Sequence, residues 1–179
     1  MRAVQGPDVS SADKVVAGLC HFPGQSEPEG GLERGAMEIS ERRLREIFLP
    51  PWVSGIRDAG ALGVMATYPA IDGVPVHASE RILTELLRGE LGFEGLVLSE
   101  GGGLSTLIYE GLAGTPEEAE RLASSGGVDF EPCHEHSAVG PMAGIVTPSM
   151  PVFVVRNAEF GNTAYCTMNE GLGKVLRYG

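Results

Sequence analysis

The segment Leu83-Thr-Glu-Leu-Leu-Arg-Gly-Glu-Leu-Gly-Phe-Glu-Gly-Leu-Val-Leu-Ser-Glu100 places a helical pattern directly before an apolar run, and this order decides the fold. Apolar residues three and four positions apart predict a helix over residues 79–91 with one face in the core. The run from Gly95 to Ser99 is almost entirely apolar, as in a strand that is buried on both faces. A helix followed at once by such a strand is the repeating unit of a parallel sheet.

Further apolar runs continue this alternation of strands and helices along the chain. They are Lys14 to Phe22, Gly63 to Tyr68 and Val128 to Phe130. The predicted fold class is therefore α/β, with helices that join the strands through right-handed crossovers. Parallel strands are expected at about residues 14–20, 62–67, 95–99 and 127–130.

Two local features complete the expected secondary structure. Ser40 can cap the helix after the first strand, and Pro50-Pro51 should interrupt that helix because proline cannot continue a helix interior. A second helical turn can restart at Pro51 and carry Trp52 and Ile56 inward. In the tail, the β-branched and aromatic run Met150 to Arg156 predicts a strand. Thr163 to Met168 predicts the returning arm of a hairpin, so the tail is expected to be a short α+β or hairpin segment.

Charge is distributed unevenly along the 179 residues, whose net charge is −11. Residues 1–131 contain 21 acidic and 10 basic side chains, which gives −11, whereas residues 132–179 contain three of each. An acidic first part should repel nucleic acid and anionic membranes, but a neutral sugar is compatible with it. The change in composition predicts a first domain over residues 1–131 and a segment of different origin over residues 132–179.

Nothing in the sequence indicates a membrane protein or a secreted one. No apolar run approaches the roughly 18 residues that a membrane helix needs, and Met1 to Asp8 lacks the apolar region of a signal peptide. The cysteines Cys20, Cys133 and Cys166 are odd in number and far apart, which argues against a disulfide framework. We expect a cytoplasmic protein that requires no cofactor.

Several motifs follow one another in a fixed order over residues 1–131. Lys14-Val-Val-Ala-Gly-Leu-Cys-His-Phe-Pro-Gly24 comes first, followed by Val64-Met-Ala-Thr-Tyr-Pro-Ala-Ile-Asp-Gly-Val-Pro-Val-His-Ala78. The next motif ends in Ser99-Glu100, and Gly126-Gly-Val-Asp-Phe-Glu131 closes the series. In this order they resemble the Lys-His-Phe-x-Gly, Met-x-x-Tyr-x-x-Ile-Asp-Gly-x-Pro, Ser-Asp and last-strand motifs in the catalytic barrel of family 3 glycoside hydrolases.

The resemblance implies part of a (β/α)8-type barrel that hydrolyses β-linked glucosides and related sugars by a retaining mechanism. It identifies Glu100 with the nucleophile position, and His21, Tyr68 and Cys20 with sugar-binding positions. His21, Tyr68 and Glu100 also fall at the ends of apolar runs, where the active residues of parallel barrels lie. We therefore expect a glycosidase of the β-glucosidase type whose partner is a β-glucoside or a related sugar.

Departures from the family pattern argue against efficient catalysis. Glu100 stands where the family has Asp, and misplacement of a carboxylate by roughly 1 Å can cost on the order of 100-fold in rate. Cys20 replaces a lysine, and Gly101 replaces an aromatic residue. The first barrel strands, and the second domain that often supplies the acid/base, have no counterpart in the sequence. The nearest acid/base candidates lie in the loop after His21 and are Glu27, Glu29 and Glu33.

The expected protein is therefore a truncated glycosidase that is weak or inactive. The alternative is a non-catalytic fragment that binds sugar or assembles, for example as a homo-oligomer through open sheet edges. From Cys133 onward the chain resembles a subunit family linked to oxamate carbamoyltransferase, so it looks chimeric, and a role in carbamoyl or carboxylate chemistry is a further alternative. Cys133, His134 and His136 could ligate zinc, but only Cys166 and His77 are available as a second ligand pair, and no metal is expected.

Overall fold

The computed structural model describes residues 1–11 and 13–131, together with the backbone of two short strands in the tail. In chain order the strands are β1 (Gly18–Phe22), β2 (Ala36–Met37), β3 (Gly63–Ala66), β4 (Ala70–Ile71), β5 (Val74–Pro75), β6 (Leu96–Leu98), β7 (Phe153–Arg156) and β8 (Thr163–Cys166). The longer helices are α1 (Arg2–Gln5), α2 (residues 41–58), the π-type α3 (Arg81–Glu90), α4 (Leu104–Tyr109) and α5 (Pro116–Gly126), and short 3-10 helices cover Glu29–Gly31 and Val76–Ala78.

The main sheet contains parallel strands in the order β1-β3-β6. Gly63 at the start of β3 pairs with Gly18 on one side and with Leu96 on the other. A parallel bridge between Leu98 and Phe130 continues the sheet beyond β6. Helix α2 lies in the connection from β1 to β3, and α3 lies in the connection from β3 to β6. The expected α/β class with parallel strands is confirmed.

The first strand begins later than expected because a side chain takes the hydrogen bonds of the backbone groups just before it. Oε1 of the buried Gln5 accepts hydrogen bonds from the N–H groups of Ala17 and Leu62, both at 3.2 Å. Nε2 of Gln5 donates to the carbonyl of Gly60 at 2.8 Å. These backbone groups are therefore satisfied by an amide side chain, and strand pairing starts only at Gly18.

The last expected strand, over residues 127–130, is reduced to the bridge at Phe130 for a similar reason. The carboxylate of Asp129 accepts a hydrogen bond from the N–H of Val97 at 2.8 Å and contacts Nη2 of Arg88 at 2.5 Å. The side chain of Asp129 thus takes a donor on β6 that a neighbouring strand could otherwise use. The ion pair with Arg88 also ties this segment to α3.

Helix α2 changes type at Pro50-Pro51 without a break in its helical backbone. A new α-type stretch starts at Leu49 with the prolines in its first turn, and Trp52 and Ile56 are buried, as the expected restart requires. The α-type stretches Glu41–Arg43 and Leu49–Val53 alternate with the π-type stretches Leu44–Phe48 and Ser54–Asp58. The two prolines lie in the first turn of an α-type stretch, and a wider π-type turn precedes them. That arrangement accommodates the missing N–H groups and moves the earlier carbonyls away from the proline rings.

The apolar core lies between the main sheet and the helices. Phe22 of β1 packs edge-on against Trp52 of α2, with ring centres 4.9 Å apart. Val64 and Val97 are fully buried on the same side of the sheet. Helix α3 buries Ile82, Leu83, Leu86 and Leu87, as its apolar spacing predicts.

A second, smaller sheet has the strand order β2-β4-β5. Strands β4 and β5 form a hairpin whose turn residues, Asp72 and Gly73, have φ angles of 52° and 78°. Two positive φ angles are the requirement of a tight two-residue hairpin, and Asp-Gly meets it well. Asp72 therefore shapes a loop, as the Asp-Gly pair predicts.

In the tail, β7 and β8 form an antiparallel hairpin in which Phe153 pairs with Cys166 and Arg156 pairs with Thr163. The expected strand and its returning arm are therefore confirmed, whereas the packing of the tail lies outside the described residues. Within the described part of the chain, the helices are too short or too polar to cross a membrane.

A pair of glycines tests the contact between β6 and its neighbours. A Cβ added at Gly95 would collide with the backbone carbonyl of Leu62, so Gly95→Ala should lower the free energy of unfolding by at least about 2 kcal/mol. Gly89 is in α3, where an added Cβ would approach nothing closer than the Thr84 carbonyl at 3.6 Å. Gly89→Ala should therefore raise the free energy of unfolding by up to about 1 kcal/mol. Urea unfolding of both variants measures the difference, and equal effects would contradict the packing.

Candidate active site

The carboxyl ends of β1 and β6 bring His21 and Glu100 into contact. Nε2 of His21 lies 3.1 Å from Oε1 of Glu100, and the two side chains are 29% and 14% exposed. Because β3 lies between their strands, the two side chains meet across the end of the central strand. An imidazole and a carboxylate are thus paired at the edge of the sheet where parallel barrels carry their active residues.

Glu100 has a different environment at each oxygen of its carboxylate. Besides His21, Nε2 of Gln25 donates to Oε1 at 3.4 Å. Oε2 is buried and has no hydrogen-bond partner among the described residues. Burial raises the pKa of Glu100, the charge of His21 and the hydrogen bond from Gln25 lower it, and the charges of Glu33 and Arg34 act in opposite directions.

Tyr68 holds the loop that follows Glu100. Its hydroxyl donates a hydrogen bond to the carbonyl of Gly101 at 2.5 Å, and the guanidinium of Arg34 lies over its ring, 4.4 Å from the ring centre. Burial and the charge of Glu100 raise the pKa of Tyr68. The phenol therefore remains protonated at neutral pH and stays a donor to this loop.

Two buried side chains also hold the loop that follows Glu100. The backbone of Gly103 lies so close to the fully buried ring of His77 that an added Cβ would collide with its Nε2. Oε1 of Glu131 accepts a hydrogen bond from the N–H of Leu104 at 3.3 Å. The direction of Glu100 is therefore set by tertiary contacts of its loop as well as by its own hydrogen bonds.

The structure brings together some of the predicted site residues but not all of them. His21 and Glu100 are in contact, and Tyr68 contacts the next residue of the loop. Cys20 is an exposed thiol on β1, and no hydrogen bond joins it to the other three within the described residues. The contribution of Gln25 was not predicted, because a loop residue between motifs carries no periodic signal. Its closeness in sequence to His21 was the available hint.

Neither the zinc hypothesis nor any other metal site gains support from the described residues. In residues 1–11 and 13–131, no three His, Cys, Asp or Glu side chains cluster so that they could hold a metal ion. Cys133, His134 and His136 lie outside the described residues.

The comparison with known families now decides the assignment. The model of the glycosyl hydrolase family 3 N terminal domain matches residues 1–146, which is most of the chain. The chain belongs to glycosyl hydrolase family 3. The recognised motifs and the partial barrel are thereby confirmed.

Individual family 3 relatives support this assignment. A periplasmic beta-glucosidase of Salmonella typhimurium is 33% identical over 136 residues, which are 76% of this chain and 18% of that protein. A lysosomal beta glucosidase of Dictyostelium discoideum is 40% identical over 121 residues, which are 67% of this chain and 15% of that protein. The chain thus spans less than a fifth of the length of these relatives.

Solved structures give the same result. A β-glucosidase of Erythrobacter marinus matches with a TM-score of 0.68 and 33% identity, over 73% of this chain and 18% of that one. A beta-glucosidase of Listeria innocua in complex with glucose matches with a TM-score of 0.67 and 31% identity over the same shares.

A second similarity covers the end of this family 3 chain. The model of the oxamate carbamoyltransferase subunit AllG matches residues 128–179. The Escherichia coli AllG subunit is 46% identical over 80 residues, which are 45% of this chain and 19% of that protein. The two family matches overlap over residues 128–146.

The buried imidazole under this loop predicts how stability depends on pH. Burial, followed by the charge of Arg34, lowers the pKa of His77 from 6.5 to about 3. The unfolded chain therefore takes up a proton on this residue below pH 6.5, while the folded chain does not. Stability is retained above pH 6.5 and is lost as the pH falls, by about 2 kcal/mol between pH 6.5 and pH 5.

Urea unfolding of the wild type and of His77→Leu across this range measures the effect. The variant lacks the titrating imidazole, so its stability should depend less steeply on pH, while the carboxylates contribute equally to both proteins. Parallel stability curves for the two proteins would show that His77 is protonated as easily in the folded state as in the unfolded state.

Proposed function

We propose that this chain provides the nucleophile half of a retaining glycosidase site for β-glucosides or closely related sugars. The observation that carries the proposal is the contact between His21 and Glu100 at the carboxyl ends of β1 and β6. A retaining glycosidase needs a carboxylate that attacks the anomeric carbon. Glu100 has the required chemistry and occupies the matching motif position of a family 3 chain.

The proposed reaction has two displacement steps. In the first, an oxygen of the Glu100 carboxylate bonds to the anomeric carbon while the glycosidic C–O bond breaks and the leaving oxygen takes a proton from an acid. In the second, water attacks the anomeric carbon, loses a proton to the same group, and releases Glu100 as carboxylate. His21 and Gln25 hold the carboxylate in place, and Tyr68 holds the loop behind it.

Among the loop carboxylates, Glu33 is the best placed to serve as that acid/base. Glu27 is paired with Nη2 of Arg43 at 2.8 Å and is thereby directed toward α2. The charge of Glu33 raises the pKa of both Glu100 and Tyr68. Its neighbour Arg34 stacks on Tyr68, which keeps this part of the loop over the site.

Three features limit the expected rate. The carboxylate of Glu100 carries one methylene more than the aspartate of the family and has turned Oε2 into the protein. Cys20 brings no charge and only a weak donor to the sugar hydroxyls. Glu33 is exposed and belongs to a loop, so its orientation is less well fixed than that of a group on a strand.

The first activity prediction concerns Glu100. The purified chain should hydrolyse 4-nitrophenyl β-glucoside below about 1 per second, the lower end of the common range for enzymes. Glu100→Gln should remove this residual activity, whereas Glu94→Gln, an exposed control before β6, should not. Glu100→Asp should raise the rate only where the rest of the pocket is intact, and Cys20→Lys should improve KM more than kcat. Turnover that survives Glu100→Gln would rule out the nucleophile role.

The second activity prediction concerns Glu33. Loss of an acid catalyst matters most for poor leaving groups, so Glu33→Gln should slow hydrolysis of an alkyl β-glucoside about 100-fold or more. Hydrolysis of a dinitrophenyl β-glucoside should change little in its first step, and added azide should yield a β-glucosyl azide. Glu29→Gln in the same loop is the matched control. Identical behaviour of the two variants on both substrates would remove Glu33 as the acid/base.

We also propose a non-catalytic alternative, in which the chain serves as an assembly module. Two observations favour it: residues 128–179 are similar to the AllG subunit, and β1 pairs only with β3 among the described strands. An exposed strand edge can recruit another chain. Light scattering that gives a mass above that of one chain, together with no turnover by the wild type, would favour this alternative over the glycosidase.

A further inference from the structure

We propose that Gln25 is a positioning residue for the Glu100 carboxylate, and that it compensates for the longer side chain at this position. The inference rests on the proposed nucleophile role of Glu100. Gln25 links two elements of the site: its Oε1 accepts a hydrogen bond from the hydroxyl of Thr67 at 3.3 Å, and its Nε2 donates to Oε1 of Glu100 at 3.4 Å.

The backbone of Gln25 is held in a tight turn. The carbonyl of Gly24 accepts a hydrogen bond from the N–H of Glu27 at 3.1 Å, which closes the turn around Gln25. Gly24 has a φ of +78°, and an added Cβ would lie 2.9 Å from the sulfur of Met37. At the other end, Glu27 is paired with Arg43 on α2. The amide of Gln25 is therefore presented from a supported loop.

Thr67 fixes which end of the amide faces Glu100. Thr67 is fully buried directly after β3, and its N–H donates to the carbonyl of Phe22 at 2.8 Å. A hydroxyl that donates to Oε1 of Gln25 leaves the NH2 group to point at the carboxylate. The residues that follow β1 and β3 therefore together direct an N–H donor toward Glu100.

Nε2 of His21 contacts the same oxygen of Glu100 to which Gln25 donates, and the two contacts together accommodate a glutamate at this position. Replacement by aspartate would withdraw the carboxylate by one C–C bond, roughly 1.5 Å. A contact that is already 3.4 Å long would then exceed hydrogen-bond range. Gln25 is therefore useful to a glutamate at this position and out of reach of an aspartate.

The charged and titratable groups around Glu100 predict how the ionisation of its carboxyl changes when Gln25 is removed. His21 on β1 and Arg34 in the following loop favour the carboxylate, whereas Glu33 and burial disfavour it. Tyr68, beyond β3, remains a neutral phenol. Gln25 adds a neutral donor to the ionised form, so its loss should make Glu100 harder to ionise.

The experiment measures the ionisation of Glu100 directly, by carbon-13 NMR of labelled glutamate carboxyls in the full chain, with Glu100→Gln to assign the signal. Gln25→Leu should lower the acid dissociation constant of Glu100 about three- to tenfold. Thr67→Val should act in the same direction and less strongly, since it frees the amide to rotate. Gln25→Asn should act like Gln25→Leu, because its amide is withdrawn from the carboxylate by one C–C bond. Ser26→Ala, in the same loop, is the control and should change nothing.

The same comparison in the Glu100→Asp background tests the compensation. There Gln25→Leu should leave the acid dissociation constant of the aspartate unchanged. An equal change in both backgrounds, or a Gln25→Leu variant indistinguishable from Ser26→Ala, would overturn the proposal. Because the NMR readout needs no turnover, a shift without glycosidase activity in any variant would refute the proposed function and leave the role of Gln25 intact.

Discussion

The parallel pairing of β1, β3 and β6 is the constraint on which the rest of the structure depends. Parallel strands present their carboxyl ends at one edge, so side chains from distant parts of the sequence meet there without long loops to carry them. His21 and Glu100 meet across the end of β3 for this reason. The apolar faces of α2 and α3 share one buried core with Val64 and Val97 of the sheet.

The loop after Glu100 departs from the family pattern. It follows the last residue of the family 3 motif and has Gly101 where the family has an aromatic residue. Yet the loop is well supported, because Tyr68 and His77 pack against its glycines. The boundary predicted at residue 131 remains a prediction, and the two family matches overlap across it, over residues 128–146.

The sequence predicts the elements that apolar periodicity and motifs encode. It does not predict hydrogen bonds between side chains and groups that are distant in the sequence. Helix α3 and strand β6 match their predicted positions closely, since their burial follows the apolar spacing. The start of β1 could not be predicted, because it depends on Gln5, an amide from a distant helix that satisfies the strand's backbone groups. The role of Gln25 could not be predicted for the same reason. It depends on the hydroxyl of Thr67 and the carboxylate of Glu100, which only the folded chain brings together.

The central claim is that Glu100 acts as the nucleophile, although its extra methylene and the rest of its site keep catalysis slow. Incubation with a dinitrophenyl 2-deoxy-2-fluoro-β-glucoside tests this most directly, because the fluorine slows breakdown of the glycosyl ester and the leaving group needs no acid. Peptide mass spectrometry should find one fluoroglucosyl group on the peptide that contains Glu100, formed slowly but to completion. A label on another carboxylate, or no label under conditions that label a complete family 3 β-glucosidase, would contradict the account.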